Sequence, residues 1–212
     1  MTWEEFVSKS VCLMNSEQTE MFEQYIMNTV MIKDYICNSG FLTAPASTHY
    51  HGSYEGGLAE HSINVMMNLV SLTENNGLKW ILPRSPYIIG LFHDLCKVDQ
   101  YKQEIVKLSY YADGKELEAE RHHAPGKYEY NNETLFKGHG MKSAVIASTL
   151  MTLTEEEVAC IVYHMGAFCD KEEWNDYTRA IHKYPNVLWT HHADMLASHV
   201  HEVNKENNND RN

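Results

Sequence analysis

Most of the chain places apolar residues at helical spacing. Thr2 and Glu5 have the spacing of a capping box around Trp3, just ahead of Phe6 and Val7. Over residues 17–37, Met21, Phe22, Tyr25, Ile26 and Val30 fall on one stripe and predict a second, continuous helix. Residues 38–57 contain Gly40, Pro45, Gly52, Gly56 and Gly57 and read as a long loop. A helix is predicted over 58–72. Another is predicted over 85–97, apolar nearly all round, as a central buried helix would be.

Residues 98–137 break this pattern. They are rich in Tyr, Lys and Glu, and Asp113-Gly114 and Asn131-Asn132 are turn signals, so a hairpin-like excursion is expected. Helices resume over 140–152. A second capping box, Thr154 with Glu157, opens a helix carrying Val158, Ile161 and Val162. The last helix follows Pro185 over 186–203, and the polar, Asn-rich residues 205–212 read as a disordered tail. No internal repeat is present. The expected fold is all-α, a helical bundle with the excursion inserted. An N-terminal helical segment, 1–37, is expected to pack on a main domain over 38–204.

Composition fits that picture. A chain of 212 residues suits one domain, and 43% hydrophobic with 22% charged residues is ordinary for a soluble globular protein. Apolar runs such as Tyr87 to Phe92 fall far short of the roughly 18 residues a membrane span needs. The N-terminus is acidic and lacks the apolar stretch of a secretory leader, so a cytoplasmic location and no membrane partner are expected. The 5 cysteines form no C-x-x-C pair, which argues against a disulfide framework or a thiolate zinc site.

Charge narrows the partners. A net charge of −12 disfavours an extended nucleic acid, whose phosphates call for a basic surface. A small anionic substrate stays open, because a metal centre can supply positive charge locally.

The unusual component is histidine, with 13 residues, most of them in short clusters. His61 falls on the apolar stripe of Leu58, Val65 and Leu69, so it points into the core, either as a hydrogen-bonded core residue or as a ligand. His93 and Asp94 sit between Phe92 and Leu95 in one of the most hydrophobic segments. Burying both costs several kcal/mol unless they are paired with each other or bound to metal. His139 lies between Gly138 and Gly140 where a helix begins, His164 ends the apolar run from Ala159 to Tyr163, and Asp194 lies between Trp189 and Met195. Imidazoles and carboxylates without thiols suit Mn, Fe, Co, Ni or Zn. Six such groups exceed the needs of one ion and suit two, with a bridging carboxylate.

The ordered set His61, His93-Asp94, His139, His164, Asp194 resembles the H…HD…H…H…D signature of the HD superfamily of metal-dependent phosphohydrolases in its two-metal form. The stretch His51 to Ser62, with Tyr54, Gly56, Gly57 and Leu58, is similar to the H-x-x-Y-x-G-G-L-x-x-H-[ST] segment of an HD subgroup. That subgroup includes the HD module of a bacterial 3′–5′ exoribonuclease and small phage and bacterial proteins. His93 to Lys97 resembles the HD-x-x-K core. Gly138 to Ser143, His164 to Gly166, and His192 to Leu196 resemble the later segments. The similarity spans roughly residues 40–200.

The resemblance implies an HD-domain bundle with one ion on His61, His93, Asp94 and Asp194, and a second on bridging Asp94, His139 and His164. Met165 stands where several two-metal relatives carry a second consecutive histidine, which implies a second site that is weaker, more hydrated or filled only with substrate. Two divalent ions sharing a hydroxide would aim it at the phosphorus of a phosphomonoester or phosphodiester, in a small nucleotide. Asp94 and Lys97 would be the catalytic residues. Lys97 lies at i, i+4 from His93 and is expected at the same mouth, contacting phosphate or the bridging solvent, or else as a snorkelling surface lysine. His51, Lys97, Lys142 and the Arg121, His122, His123 cluster are candidate substrate contacts, with a solvated loop as the plainer reading of the cluster. His49, His182, His191, His192 and His199 read as structural or surface. Two other functions fit the same ligands: an HD-fold di-iron oxygenase, and a nucleotide-binding regulator without turnover.

Overall fold

Helix α1 (Trp3–Val11) starts at the first capping box, where the Glu5 amide donates to Thr2 Oγ1 at 3.2 Å and the Thr2 amide donates to Glu5 Oε2 at 2.8 Å. The computed structural model of the chain describes residues 1–112, 115–136 and 138–202, with the side chains of 106–126 excepted. The chain is mostly helical, as expected. The helices are α2 (Ser16–Phe22), α3 (Val30–Asn38), α4 (Gly57–Asn76), α5 (Ser85–Phe92), α6 (Lys97–Gln100), α7 (His139–Leu150), α8 (Glu155–Val162), α9 (Trp174–Lys183) and α10 (Asn186–Leu196). The second capping box holds too, with the Glu157 amide donating to Thr154 Oγ1 at 3.1 Å. None of the described helices is long and apolar enough to cross a membrane.

The excursion is a hairpin. Strand β1 (Tyr101–Ala112) pairs antiparallel with β2 (Lys115–Tyr130), with Tyr101 opposite Tyr130 at its base. The expected tail, 205–212, lies outside the described residues.

Three predicted helices differ from the observed ones. The stretch 17–37 is not continuous. After α2 the chain forms a π-helical turn (Glu23–Met27) in which the Asn28 amide reaches Glu23 O at 2.9 Å, and Thr29 is extended before α3 begins. The wider turn rotates the stripe, so Val30 is 71% exposed while Ile32 and Ile36 are buried. The segment 85–97 is also broken. Helix α5 stops at Phe92, and residues 93–96 form tight turns closed by Leu95 N–Phe92 O at 3.4 Å and Lys97 N–Asp94 O at 2.9 Å. Finally, α10 gives way to a second π-helical turn (Ala197–His201), in which the Glu202 amide reaches Ala197 O at 3.1 Å.

One buried cluster joins Phe6, Phe22, Ile26 and Ile36 of the N-terminal helices to Leu58, Met66 and Leu69 of α4 and Ile88 and Phe92 of α5. Two glycines set the closest helix approaches. A Cβ on Gly90 would lie 2.3 Å from Met66 Cα, so only glycine lets α5 press its backbone onto α4. A Cβ on Gly140 would lie 2.1 Å from Val162 O, so the start of α7 sits directly on the end of α8. The first approach brings His93 to His61, and the second brings His139 to His164.

Candidate metal centre

The six residues singled out as ligands come together in one place, from α4, the turn after α5, the start of α7, the turn after α8, and α10. Asp94 is the hub. Its Oδ2 lies 3.5 Å from His61 Nε2 and 3.4 Å from His93 Nε2, while its Oδ1 lies 2.7 Å from His139 Nε2 and 3.4 Å from His164 Nε2. Asp194 Oδ1 joins the first pair, 3.2 Å from His61 Nε2. Each carboxylate oxygen of Asp94 therefore faces its own pair of imidazoles.

Each imidazole is oriented from behind. His93 Nδ1 meets Gly90 O at 2.9 Å, and His164 Nδ1 meets Ile161 O at 2.7 Å. A backbone carbonyl only accepts, so both ring protons sit on Nδ1, and in the neutral ring Nε2 carries its lone pair toward the centre. His61 Nδ1 lies 3.0 Å from Glu202 Oε1. Among the described residues, the partner of His139 Nδ1 is a sulfur, Cys96 Sγ at 3.2 Å.

Charge at the centre follows from these contacts. Burial would lower the pKa of His61, but its bonds to Asp194 and Glu202 outweigh this and raise it to about 10. Burial lowers His93 and His139 despite the nearby Asp94, whereas Asp94 outweighs burial at His164 and raises it. Asp94 is held well below the usual carboxylate range: burial opposes this, and Lys97, His93 and His139 overcome it. Asp194 is held low by His61, again against burial.

The donors fit a divalent cation. Among the described residues, Asp94 Oδ1 and His164 Nε2 are buried side-chain atoms without a hydrogen bond of acceptable geometry, even though His139 Nε2 lies close to the former. Such orphaned atoms are costly, and a cation would satisfy both. The sets His61–His93–Asp194, His93–Asp94–His164 and Asp94–Cys96–His139 each bring their ligand atoms within 4.8 Å of one another. In the metal-free protein, burial and the nearby Asp94 push the Cys96 thiol up to about 12, and the other donors of these sets are imidazole nitrogens and carboxylate oxygens.

Lys97 reaches the hub by a different route from the expected one. It is the first residue of α6, beyond the turn, and its Nζ lies 2.7 Å from Asp94 Oδ2 at i, i+3 from that residue. It is buried, not a snorkelling surface side chain. Lys97, Asp94, Asp194 and His139 open onto a cavity of about 690 Å³. His51 lies on its wall, its ring centroid 5.2 Å from that of His61, and burial with the neighbouring His61 lowers its pKa to about 4. Tyr101 and Tyr130, from the base of the hairpin, add aromatic wall.

Other candidates lie elsewhere. Lys142 is buried in an ion pair with Asp99 and faces an adjoining cavity of about 320 Å³. The side chains of Arg121, His122 and His123 lie outside the described ones; their backbone runs in β2 opposite Lys107, Val106 and Ile105.

Three wall residues and one supporting residue escaped the sequence reading. His49, His191 and His199 line the cavity. His191 Nδ1 lies 2.9 Å from His164 O, and the available signal was its i−3 spacing from Asp194. Glu202 had only the i, i+4, i+8 progression from Asp194 through Ser198, which is weak. Comparison of the chain with family models, curated proteins and solved structures gives no match, so its functional reading rests on these residues and their resemblance to a signature.

Proposed function

We propose that the protein is a metal-dependent phosphohydrolase of the HD type, cleaving a phosphomonoester or phosphodiester bond in a small nucleotide. The observation that carries this reading is the division of Asp94 between two imidazole pairs, His61 with His93 and His139 with His164, at the floor of a cavity. The order and flanks of these residues resemble the HD signature, which supports the choice of phosphoryl chemistry.

His61, His93, Asp94 and Asp194 would hold one divalent ion, and Asp94, His139 and His164 the other. Bound ions of this kind supply Lewis acidity at phosphate oxygens and lower the pKa of water. The chain's own residues do the rest. His61, His93 and His164 are each held by an oxygen partner at Nδ1, so little reorganisation of these three would be needed on binding a cation. The Lys97 ammonium, beside Asp94 Oδ2 and open to the cavity, would receive a phosphate oxygen. The cavity, about 690 Å³, suits a mononucleotide-sized molecule and not a duplex, in keeping with the charge of −12.

The test is metal quantification on the purified protein, followed by a phosphate-release screen across nucleotides. The reading expects divalent metal and phosphate release that is lost in His61→Ala and Asp194→Ala. Turnover that requires oxygen and releases no phosphate would overturn it.

A further inference from the structure

His93 and His164 find their Nδ1 acceptors three residues back in their own turns, at Gly90 O and Ile161 O. His61 does not. Its acceptor is Glu202, 141 residues further along the chain, at 3.0 Å. The same Glu202 Oε1 also accepts from Asn64 Nδ2 at 3.1 Å, so the second residue of α4 to hold this oxygen sits one turn beyond His61. Glu202 is 5% exposed, and its other oxygen, Oε2, is buried without a hydrogen-bond partner among the described residues. A buried carboxylate kept in that state is costly, and a simple tie between the last turn and α4 would be served by a neutral side chain.

We propose that Glu202 is a positioning residue of the metal centre: it takes the Nδ1 proton of His61 as a hydrogen bond and so fixes the Nε2 lone pair toward Asp94 and Asp194. The carboxylate also makes the imidazole a stronger donor than a carbonyl partner would. The π-helical turn Ala197–His201 is what delivers it. The Glu202 amide closes that turn on Ala197 O at 3.1 Å, and the extra residue per turn rotates Glu202 onto the α4 side. The last turn of the described chain thereby becomes part of the centre's support.

This inference rests on the metal-centre reading above, and the experiment separates the two. Co²⁺ affinity is titrated in the wild-type protein, in Glu202→Ala and in Glu202→Gln. Losing an outer partner of a ligating histidine weakens metal binding by about 10- to 100-fold, which is expected for Glu202→Ala. Glu202→Gln keeps an acceptor oxygen but not the charge, so it should recover part of that loss and fall between wild type and Glu202→Ala, whereas a merely structural tie would leave metal affinity unmoved in both. Equal affinity in all three would overturn the role of Glu202 and leave the metal centre standing. No Co²⁺ binding by the wild-type protein would overturn both. A second measurement needs no variant: in the Zn²⁺-loaded wild-type protein, nitrogen-15 NMR should place the His61 ring proton on Nδ1. A proton on Nε2 would contradict the proposal even if Glu202→Ala does not fold.

Discussion

The Lys97 ammonium lies 2.7 Å from Asp94 Oδ2, the same oxygen that faces His61 and His93. Both side chains are buried, and each holds the other's charge: opposed by burial in both cases, Asp94 raises the Lys97 pKa and Lys97 lowers that of Asp94. Lys97 therefore supports the centre before any cation arrives.

Removing one partner of such a pair leaves an uncompensated buried charge. Lys97→Met should destabilise the metal-free protein by about 3–5 kcal/mol. Divalent metal, which supplies the missing positive charge, should restore part of that loss. Chemical denaturation with and without chelator reads both effects, and equal stability of variant and wild type would show that the pair is not buried as described.

The pH dependence of the metal-free protein follows from His61, whose pKa is raised to about 10 in the fold from an ordinary 6.5. A raised histidine contributes stability fully below its unfolded pKa and loses it as pH climbs through the folded one. The metal-free protein should therefore lose stability between about pH 6.5 and 10. Metal must displace the same proton, so metal affinity should rise over that interval, by up to about tenfold per pH unit for one proton. Thermal unfolding and metal titration at pH 6.5, 8 and 9.5 check both signs, and metal affinity that falls with pH would contradict the assignment.

The two glycine contacts should act on different halves of the centre. Gly90→Ala drives a Cβ to 2.3 Å from Met66 Cα and pushes α5 off α4, separating His93 from His61. Gly140→Ala drives a Cβ to 2.1 Å from Val162 O and disturbs the His139–His164 pair. Each should cost about 1–3 kcal/mol or more, since the clashing atoms are backbone. Gly140→Ala should leave the His61 set able to bind metal, while Gly90→Ala should weaken it. Metal stoichiometry of the folded variants distinguishes the two outcomes.

Docking of the last turn and metal binding should be linked, because Glu202 belongs to one and His61 to the other. Amide hydrogen exchange over 197–202 should slow when metal is added, and this slowing should vanish in Glu202→Ala. Unchanged exchange in the wild-type protein would break the link.

Much of this cluster was legible from the chain because its candidate ligands interrupt apolar patterns. His61 on the α4 stripe and His93-Asp94 after Phe92 stand out against their neighbours, and both are almost wholly buried. The breaks in the helices were not legible. Val30 is as apolar as Ile26, so nothing in the pattern announces the π-helical turn that exposes it. The same holds for the turn at 93–96, where Leu95 and Cys96 continue the apolar run while the backbone changes course. Glu202 escaped because a lone glutamate near a polar tail looks solvated, and only the turn at Ala197–His201 carries it inward. Lys142 illustrates the converse, a lysine one turn from the candidate ligand His139 whose charge is already taken by Asp99.

The central claim is that Asp94 serves two cation positions at once, and counting bound metal in ligand variants tests it most directly. With saturating Mn²⁺, the wild-type protein should bind two equivalents, His139→Ala one, and Asp94→Ala none with comparable affinity. Two equivalents retained by Asp94→Ala, or no binding by the wild-type protein, would contradict the account.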